Sequence, residues 1–272
     1  MKIGFTTLAC PGWDLGQIIR CALDNGYDGV DFRGYRGQLV LYELPEFTTG
    51  LDRTIAAFRE AKIEVPCLST SARMFCRTDA QAQASLKEVG AYAELARRMG
   101  AGLLRVFGGG LEKTPLEEAI PKAVAHLRVL ADAAARCGVG LVIETHDDWI
   151  ATSSLARVMA QVDRANVGVL WDINHPFQLA GESLEESYGN LGKYTRYTHV
   201  KDSRKLADGK LQYTLPGEGQ VDIRRAVALL KSGGYDGYLT VEWEKQWHPD
   251  LPEPEVALPA YARALREAIA GA

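Results

Sequence analysis

The sequence predicts an α/β protein of the (β/α)8 TIM-barrel class, organised as a single domain over residues 1–272. Three observations predict it. Short β-branched or apolar runs alternate eight times with longer helical patterns. Eight such units in 272 residues average about 34 residues each, the economy of a closed barrel. No Gly-x-Gly-x-x-Gly follows the first strand, as an open dinucleotide-binding sheet would require, and polar residues suited to chemistry collect at strand C-termini.

The elements follow in order. The first strand covers about Lys2 to Thr7, and a helix from Asp14, an N-cap residue type, runs to about Asn25 and is stopped by Gly26. Strand two is about Gly29 to Phe32. After a loop containing Pro45, helix two covers Leu51 to Lys62, and strand three covers Glu64 to Ser69. Alanine and leucine at three- and four-residue spacing place helix three over Asp79 to Met99, with Gly100 as its C-cap. Strand four is Leu103 to Phe107. Thr114-Pro115-x-Glu117 reads as an N-cap followed by proline at the first helical position, opening a helix that ends near Cys137-Gly138. Strand five (Val139 to Glu144), a helix near Ser153 to Gln161, strand six (Val167 to Asp172), a helix near Leu184 to Asn190 and strand seven (Tyr194 to Val200) continue the alternation. A helix after Val221, strand eight (Gly237 to Glu242) and a terminal helix from about Pro254 to Ala270 complete it.

Composition narrows the function classes. The chain is 47% hydrophobic and 24% charged, enough apolar material for a large core. Its formal net charge of -4 offers no general attraction to phosphate backbones or anionic membranes, so a small-molecule partner is expected rather than nucleic acid or membrane. Five cysteines, odd in number and without a C-x-x-C pair, read as reduced thiols of a cytoplasmic protein. The sequence leaves a homo-oligomer open.

Chemistry is concentrated in four runs: Leu141-Val142-Ile143-Glu144, Gly168-Val169-Leu170-Trp171-Asp172, Arg196-Tyr197-Thr198-His199 and Tyr238-Leu239-Thr240-Val241-Glu242. Each ends in one potential metal ligand, and the ligands are spaced by 28, 27 and 43 residues, two β/α repeats and one repeat with a long loop. Taken singly, each has an ordinary structural reading: a salt-bridged strand-end glutamate, a turn aspartate, a core histidine. In register on strands five to eight, they converge on one divalent cation. Three carboxylates and one imidazole form a hard, oxygen-rich set, suited to Mn2+ first, with Mg2+, Co2+ and Zn2+ as alternatives. Such an ion has coordination positions left for the carbonyl and neighbouring hydroxyl of a sugar, whose adjacent C–H becomes acidic. A ligating carboxylate can then act as the base.

These four motifs, with Asp172-x-x-His175 and His199-Val200-Lys201-Asp202, resemble the xylose-isomerase-like sugar phosphate isomerase/epimerase family, which includes ketose 3-epimerases, inosose isomerases and inosose dehydratases. The resemblance spans the whole chain. It implies metal ligation by Glu144, Asp172, His199 and Glu242, proton exchange by Glu144 and Glu242 on opposite faces of the substrate, and a contact from His175 to a substrate oxygen. Pro216-Gly217-Glu218-Gly219 looks like the family segment that crosses the barrel mouth.

Further substrate contacts are expected from Lys201, Arg105 and His146, with Arg33 also at a strand end. The structural alternative for Lys201 is an ion pair with Asp202 or a neighbouring strand. Trp13, Phe75, Trp149, Trp243 and Trp247 offer an apolar wall, and Gly108-Gly109-Gly110 reads as a flexible turn. The function expected is a divalent-metal-dependent isomerase or epimerase of carbohydrate metabolism, acting on a sugar, keto-sugar or keto-inositol, phosphorylated or not. A dehydratase of the inosose type and a non-catalytic carbohydrate-binding protein are the alternatives. A trinuclear nuclease like endonuclease IV would need further histidines, but strand three ends in Ser69-Thr70-Ser71 and the chain has five histidines in all.

Overall fold

The computed structural model describes residues 1–272. Its strands are β1 (Lys2–Thr6), β2 (Gly29–Asp31), β3 (Cys67–Arg73), β4 (Leu103–Phe107), β5 (Gly140–Glu144), β6 (Val167–Asp172), β7 (Thr195–Val200), β8 (Asp202–Lys205), β9 (Leu211–Thr214) and β10 (Tyr238–Val241). The helices are α1 (Leu15–Asp24), α2 (Leu51–Ala61), α3 (Asp79–Met99), α4 (Leu116–Ala135), α5 (Thr152–Val162), α6 (Leu184–Leu191), α7 (Ile223–Ser232) and α8 (Pro254–Gly271). Eight strands form one sheet in the order β2-β1-β10-β7-β6-β5-β4-β3. Its ends, β2 and β3, are consecutive in sequence. Gly29 forms a parallel bridge with Glu64, just before β3, and the Val30 N–H donates to the Glu64 carbonyl at 2.9 Å. This is the nearly closed (β/α)8 barrel the sequence predicts.

Most elements begin where local chemistry requires. Asp14 caps α1 with a capping box, its side chain accepting from the Gln17 N–H while the Gln17 side chain accepts from the Asp14 N–H. Lys62 and Gly100 end α2 and α3 in the left-handed conformation. Three expectations shift. Strand three begins later and runs further, over Cys67–Arg73, since Pro66 has no N–H to give a ladder. Pro115, with ψ 142°, is the N-cap of α4 rather than its first helical residue. The antiparallel hairpin β8–β9 is additional; its loop holds Asp208-Gly209, with Gly209 at φ +84°. No helix is long and apolar enough to cross a membrane.

Two compact units make up the chain: Met1–Cys67 with Thr198–Ala272, and Leu68–Tyr197. In the first, β1 pairs in parallel with both β2 and β10, setting Thr6 opposite Asp31 and Phe5 opposite Val241. Trp243 is fully buried, its Nε1–H donating to the Pro252 carbonyl at 3.0 Å. In the second unit, β4, β5 and β6 pair in parallel, with Arg105 opposite Val142 and Glu144 opposite Leu170. Trp149 is fully buried there and donates to the Gly109 carbonyl at 2.9 Å. The expected tryptophan wall is thus partly core, and Trp247 alone among Trp149, Trp243 and Trp247 is exposed.

Asp202 organises the loop that follows the hairpin. Its buried carboxylate accepts from the backbone N–H groups of Ser203 (2.8 Å), Gly217 (2.9 Å), Gly219 (3.0 Å) and Val221 (3.0 Å). A Cβ on Gly219 would lie 2.1 Å from Asp202 Oδ1, so only glycine permits this approach. The Asp202 N–H in turn donates to Tyr261 Oη, and that hydroxyl donates to the Thr214 carbonyl, both at 2.8 Å. Asp202→Ala would strand several buried donors. It is expected to destabilise the protein by about 3 kcal/mol or more, read as a lower urea midpoint; a loss below about 1 kcal/mol would mean that water replaces the carboxylate.

Candidate metal centre

Glu144 is the last residue of β5 and Asp172 the last of β6. Thr145 stitches the two strand ends together: its hydroxyl accepts from the Asp172 N–H at 3.0 Å and donates to the Asp172 carbonyl at 3.2 Å. Beyond β6 the chain turns sharply because Asp172 Oδ1 accepts from the N–H groups of Asn174 (2.8 Å) and His175 (3.0 Å). That turn leads into one turn of π-helix, Pro176–Ala180, a geometry frequent at functional sites. It brings His175 Nδ1 to 3.4 Å from Asp172 Oδ2 and 3.2 Å from the Thr145 carbonyl.

A line of polar and aromatic groups flanks Glu144. Arg105 is buried, with Nε 3.4 Å from Glu144 Oε2 and its guanidinium carbon 3.7 Å from the centre of the Phe107 ring. Phe107 touches His146 (4.8 Å between centres), which meets His175 edge-on (4.9 Å). Arg105 Nε and Nη1 have no hydrogen-bond acceptor in the protein. Leaving a buried donor unmet costs about 1–3 kcal/mol, a deficit that a ligand oxygen would remove. His146 Nδ1 lies 2.8 Å from Asp147 Oδ1, and Asp147 Oδ2 accepts from the Gly109 N–H at 3.0 Å. Burial pushes the Asp147 carboxyl up, but the facing His146 and the Gly109 N–H outweigh it and hold it below its ordinary value. With Asp148 accepting from the Leu111 N–H at 2.6 Å, Gly108-Gly109-Gly110 is a pinned segment, contrary to the flexible turn expected.

In the other unit, His199 on β7 lies opposite Thr240 of β10, and the N–H of Glu242, just past β10, donates to the Val200 carbonyl at 3.0 Å. His199 Nδ1 is 3.1 Å from Glu242 Oε1, while Nε2 is 3.6 Å from Oδ2 of the fully buried Asp31. Lys201, only 1% exposed, contacts Glu242 Oε2 and reaches Glu244 Oε1 at 2.8 Å. Burial raises the Glu242 carboxyl, but the facing His199 and the Lys201 ammonium outweigh it and hold it well below the usual carboxylate range. Of the two structural alternatives for Lys201, the neighbouring strand holds: the ammonium faces Glu242 and Glu244 rather than Asp202.

One ligand atom from each of Glu144, Asp172, His199 and Glu242 lies within 4.8 Å of the others, and all four residues are buried. The donor set fits a hard divalent cation, since three carboxylates gathered away from water repel one another without one.

The model of the xylose isomerase-like TIM barrel family matches residues 19–268. The chain belongs to that family. Within it, fructoselysine 3-epimerase of Escherichia coli O157:H7 is 23% identical over 256 residues, 89% of this chain and 90% of the relative. Inosose dehydratase of Geobacillus thermodenitrificans (strain NG80-2) is 28% identical over 151 residues, about half of each chain (49% and 50%). Among solved structures, the IOLI protein with a binding zinc atom superposes with a TM-score of 0.83 at 20% identity, covering 100% of this chain and 99% of that one; it supports the fold.

Asp31, Glu244 and Asp147 were not among the expected site residues. For Asp31 the signal was present: Gly29-Val30-Asp31 is another apolar run ending in an acid, like those of the ligands.

Proposed function

We propose that this protein is a divalent-metal-dependent isomerase or epimerase acting on a sugar, keto-sugar or keto-inositol, phosphorylated or not. The observation that carries this reading is the buried gathering of Glu144, Asp172, His199 and Glu242 ligand atoms within 4.8 Å. Relatives named as a 3-epimerase and an inosose dehydratase support the substrate class. Those four residues would hold the ion, Mn2+ in the first instance, with zinc an alternative that the IOLI protein suggests. When bound, the cation would supply a Lewis acid for the substrate carbonyl.

The chain's own residues do the rest. Glu144, at the end of β5 with Arg105 Nε 3.4 Å from its carboxylate, is the group that takes the proton next to the carbonyl. Arg105 offers two unsatisfied N–H donors to a substrate oxygen, and His175 and His146 line the same side as further hydrogen-bonding groups. In an epimerase, Glu242 would return a proton to the opposite face.

A dehydratase is the second reading, and Lys201 favours it. Its ammonium is clamped on Glu242 and Glu244, so Glu242 is held as an anion that parts with negative charge reluctantly, whereas the ammonium itself can donate to a leaving hydroxyl.

Incubating the Mn2+-loaded protein with ketoses, keto-inositols and their phosphates in D2O separates the outcomes by NMR. Deuterium at the carbon next to the carbonyl, with water retained in the product, is expected. An unsaturated product would establish the dehydratase, and no exchange with any substrate that binds would sink the enzyme reading.

A further inference from the structure

We infer that Asp31 is a positioning residue for His199, holding the imidazole with Nε2–H toward β2 and Nδ1 toward the ligand cluster. The inference rests on the proposed metal centre and assigns a residue that the four-ligand pattern leaves out.

The argument begins with the strands. β1 sets Thr6 opposite Asp31, and β10 sets Thr240 opposite His199, so both residues are fixed by ladders within one compact unit. Neither side chain is exposed at all. A carboxylate so deeply buried is costly unless a cation or hydrogen-bond donor faces it. His199 Nε2 stands 3.6 Å from Asp31 Oδ2, while its other ring nitrogen, Nδ1, stands 3.1 Å from Glu242 Oε1. The ring is therefore held between two carboxylates of different kinds. Glu242 is a member of the four-residue cluster, and Asp31 is not.

That asymmetry assigns the two nitrogens. A neutral imidazole has one donor and one acceptor nitrogen, and a carboxylate accepts only. Nδ1 is the nearer to a carboxylate, but a cation at the cluster would take its lone pair, and the single ring proton then belongs on Nε2, facing Asp31. A carboxylate behind a ligating histidine also makes the ligating nitrogen more basic and prevents the ring from turning. Oδ2 at 3.6 Å is just beyond hydrogen-bond distance, so in this structure the carboxylate faces Nε2 as a charge rather than as a full hydrogen-bond acceptor.

The test uses the full chain loaded with Zn2+ for NMR and with Mn2+ for affinity. Long-range 1H–15N spectra of the 15N-histidine-labelled Zn2+ form should show His199 protonated at Nε2 and ligated through Nδ1. Ligation through Nε2 would overturn the inference without any variant. For affinity, Mn2+ binding is measured by chelator competition in wild type, Asp31→Asn and His199→Ala, with circular dichroism confirming the fold of each. Asp31→Asn should weaken binding about 10- to 100-fold, and His199→Ala more than that. Wild-type affinity in a folded Asp31→Asn protein would overturn the role of Asp31 while leaving the metal centre intact. Absence of binding by the wild type would instead overturn the centre itself and the inference with it.

Discussion

Glu144→Gln is expected to lower turnover by about a thousandfold, within the range that a positioned general base contributes. Glutamine keeps the size of the side chain and one oxygen for an ion, but it cannot take a proton. The change also removes the negative charge 3.4 Å from Arg105 Nε, so the guanidinium loses its ion-pair partner. Because Glu144 belongs to the four-residue cluster, metal content has to be measured on the same samples. A fully loaded variant with a thousandfold deficit would assign proton transfer to this carboxylate. Turnover within tenfold of wild type at full loading would remove Glu144 from that role.

Lys201→Met should have the largest effect on stability. The ammonium is buried against Glu242 and Glu244, and its removal leaves two carboxylates near each other without their cation. Breaking a buried pair by deleting one partner costs about 3–5 kcal/mol, or roughly 10 °C in Tm at about 2–4 °C per kcal/mol for a chain of this size. The pH dependence gives the cause. In wild type the folded-state Glu242 carboxyl titrates well below its unfolded value of about 4.3. Its contribution to stability is therefore present above that pH and is lost as pH falls through the folded value. Without Lys201 the folded-state carboxyl titrates higher, so acidification relieves the variant before it harms the wild type. In chelator-treated protein the Tm difference should be widest near pH 7.5 and narrow toward pH 5. An equal difference at both values would mean that the variant suffers from packing rather than charge.

The barrel was legible because period and punctuation agree locally: apolar runs of strand length, capped helices between them, and acids or imidazole at run ends. What escaped the sequence is non-local. For Lys201 the sequence leaves an ion pair with Asp202 or with a neighbouring strand as structural alternatives, and the neighbouring strand holds it, because adjacent residues of an extended chain point to opposite sides. His199 and Lys201 therefore share one side, and Asp202 turns to the 216–221 backbone. Glu244 and Asp31 matter only once β10 is set beside β7 and β2 beside β1, registers that no single stretch of sequence contains. The pinned Gly108-Gly109-Gly110 segment escaped for the same reason, since Asp147 and Asp148 reach it from nearly 40 residues away (38 and 37). The β8–β9 hairpin has a local signal, Asp208-Gly209, but it interrupts the β/α alternation that marks every other element.

The hold of Tyr261 on Asp202 bears on the order in which the molecule is made. The two residues are 59 positions apart, and the hydroxyl that joins them belongs to α8. During synthesis His199 and Lys201 leave the ribosome well before that helix does. The segment around Gly217 and Gly219 can meet Asp202 early, but until α8 arrives the Asp202 N–H has only water to bond. Folding of the lysine-bearing strand end is therefore expected to finish only once the eighth helix has emerged.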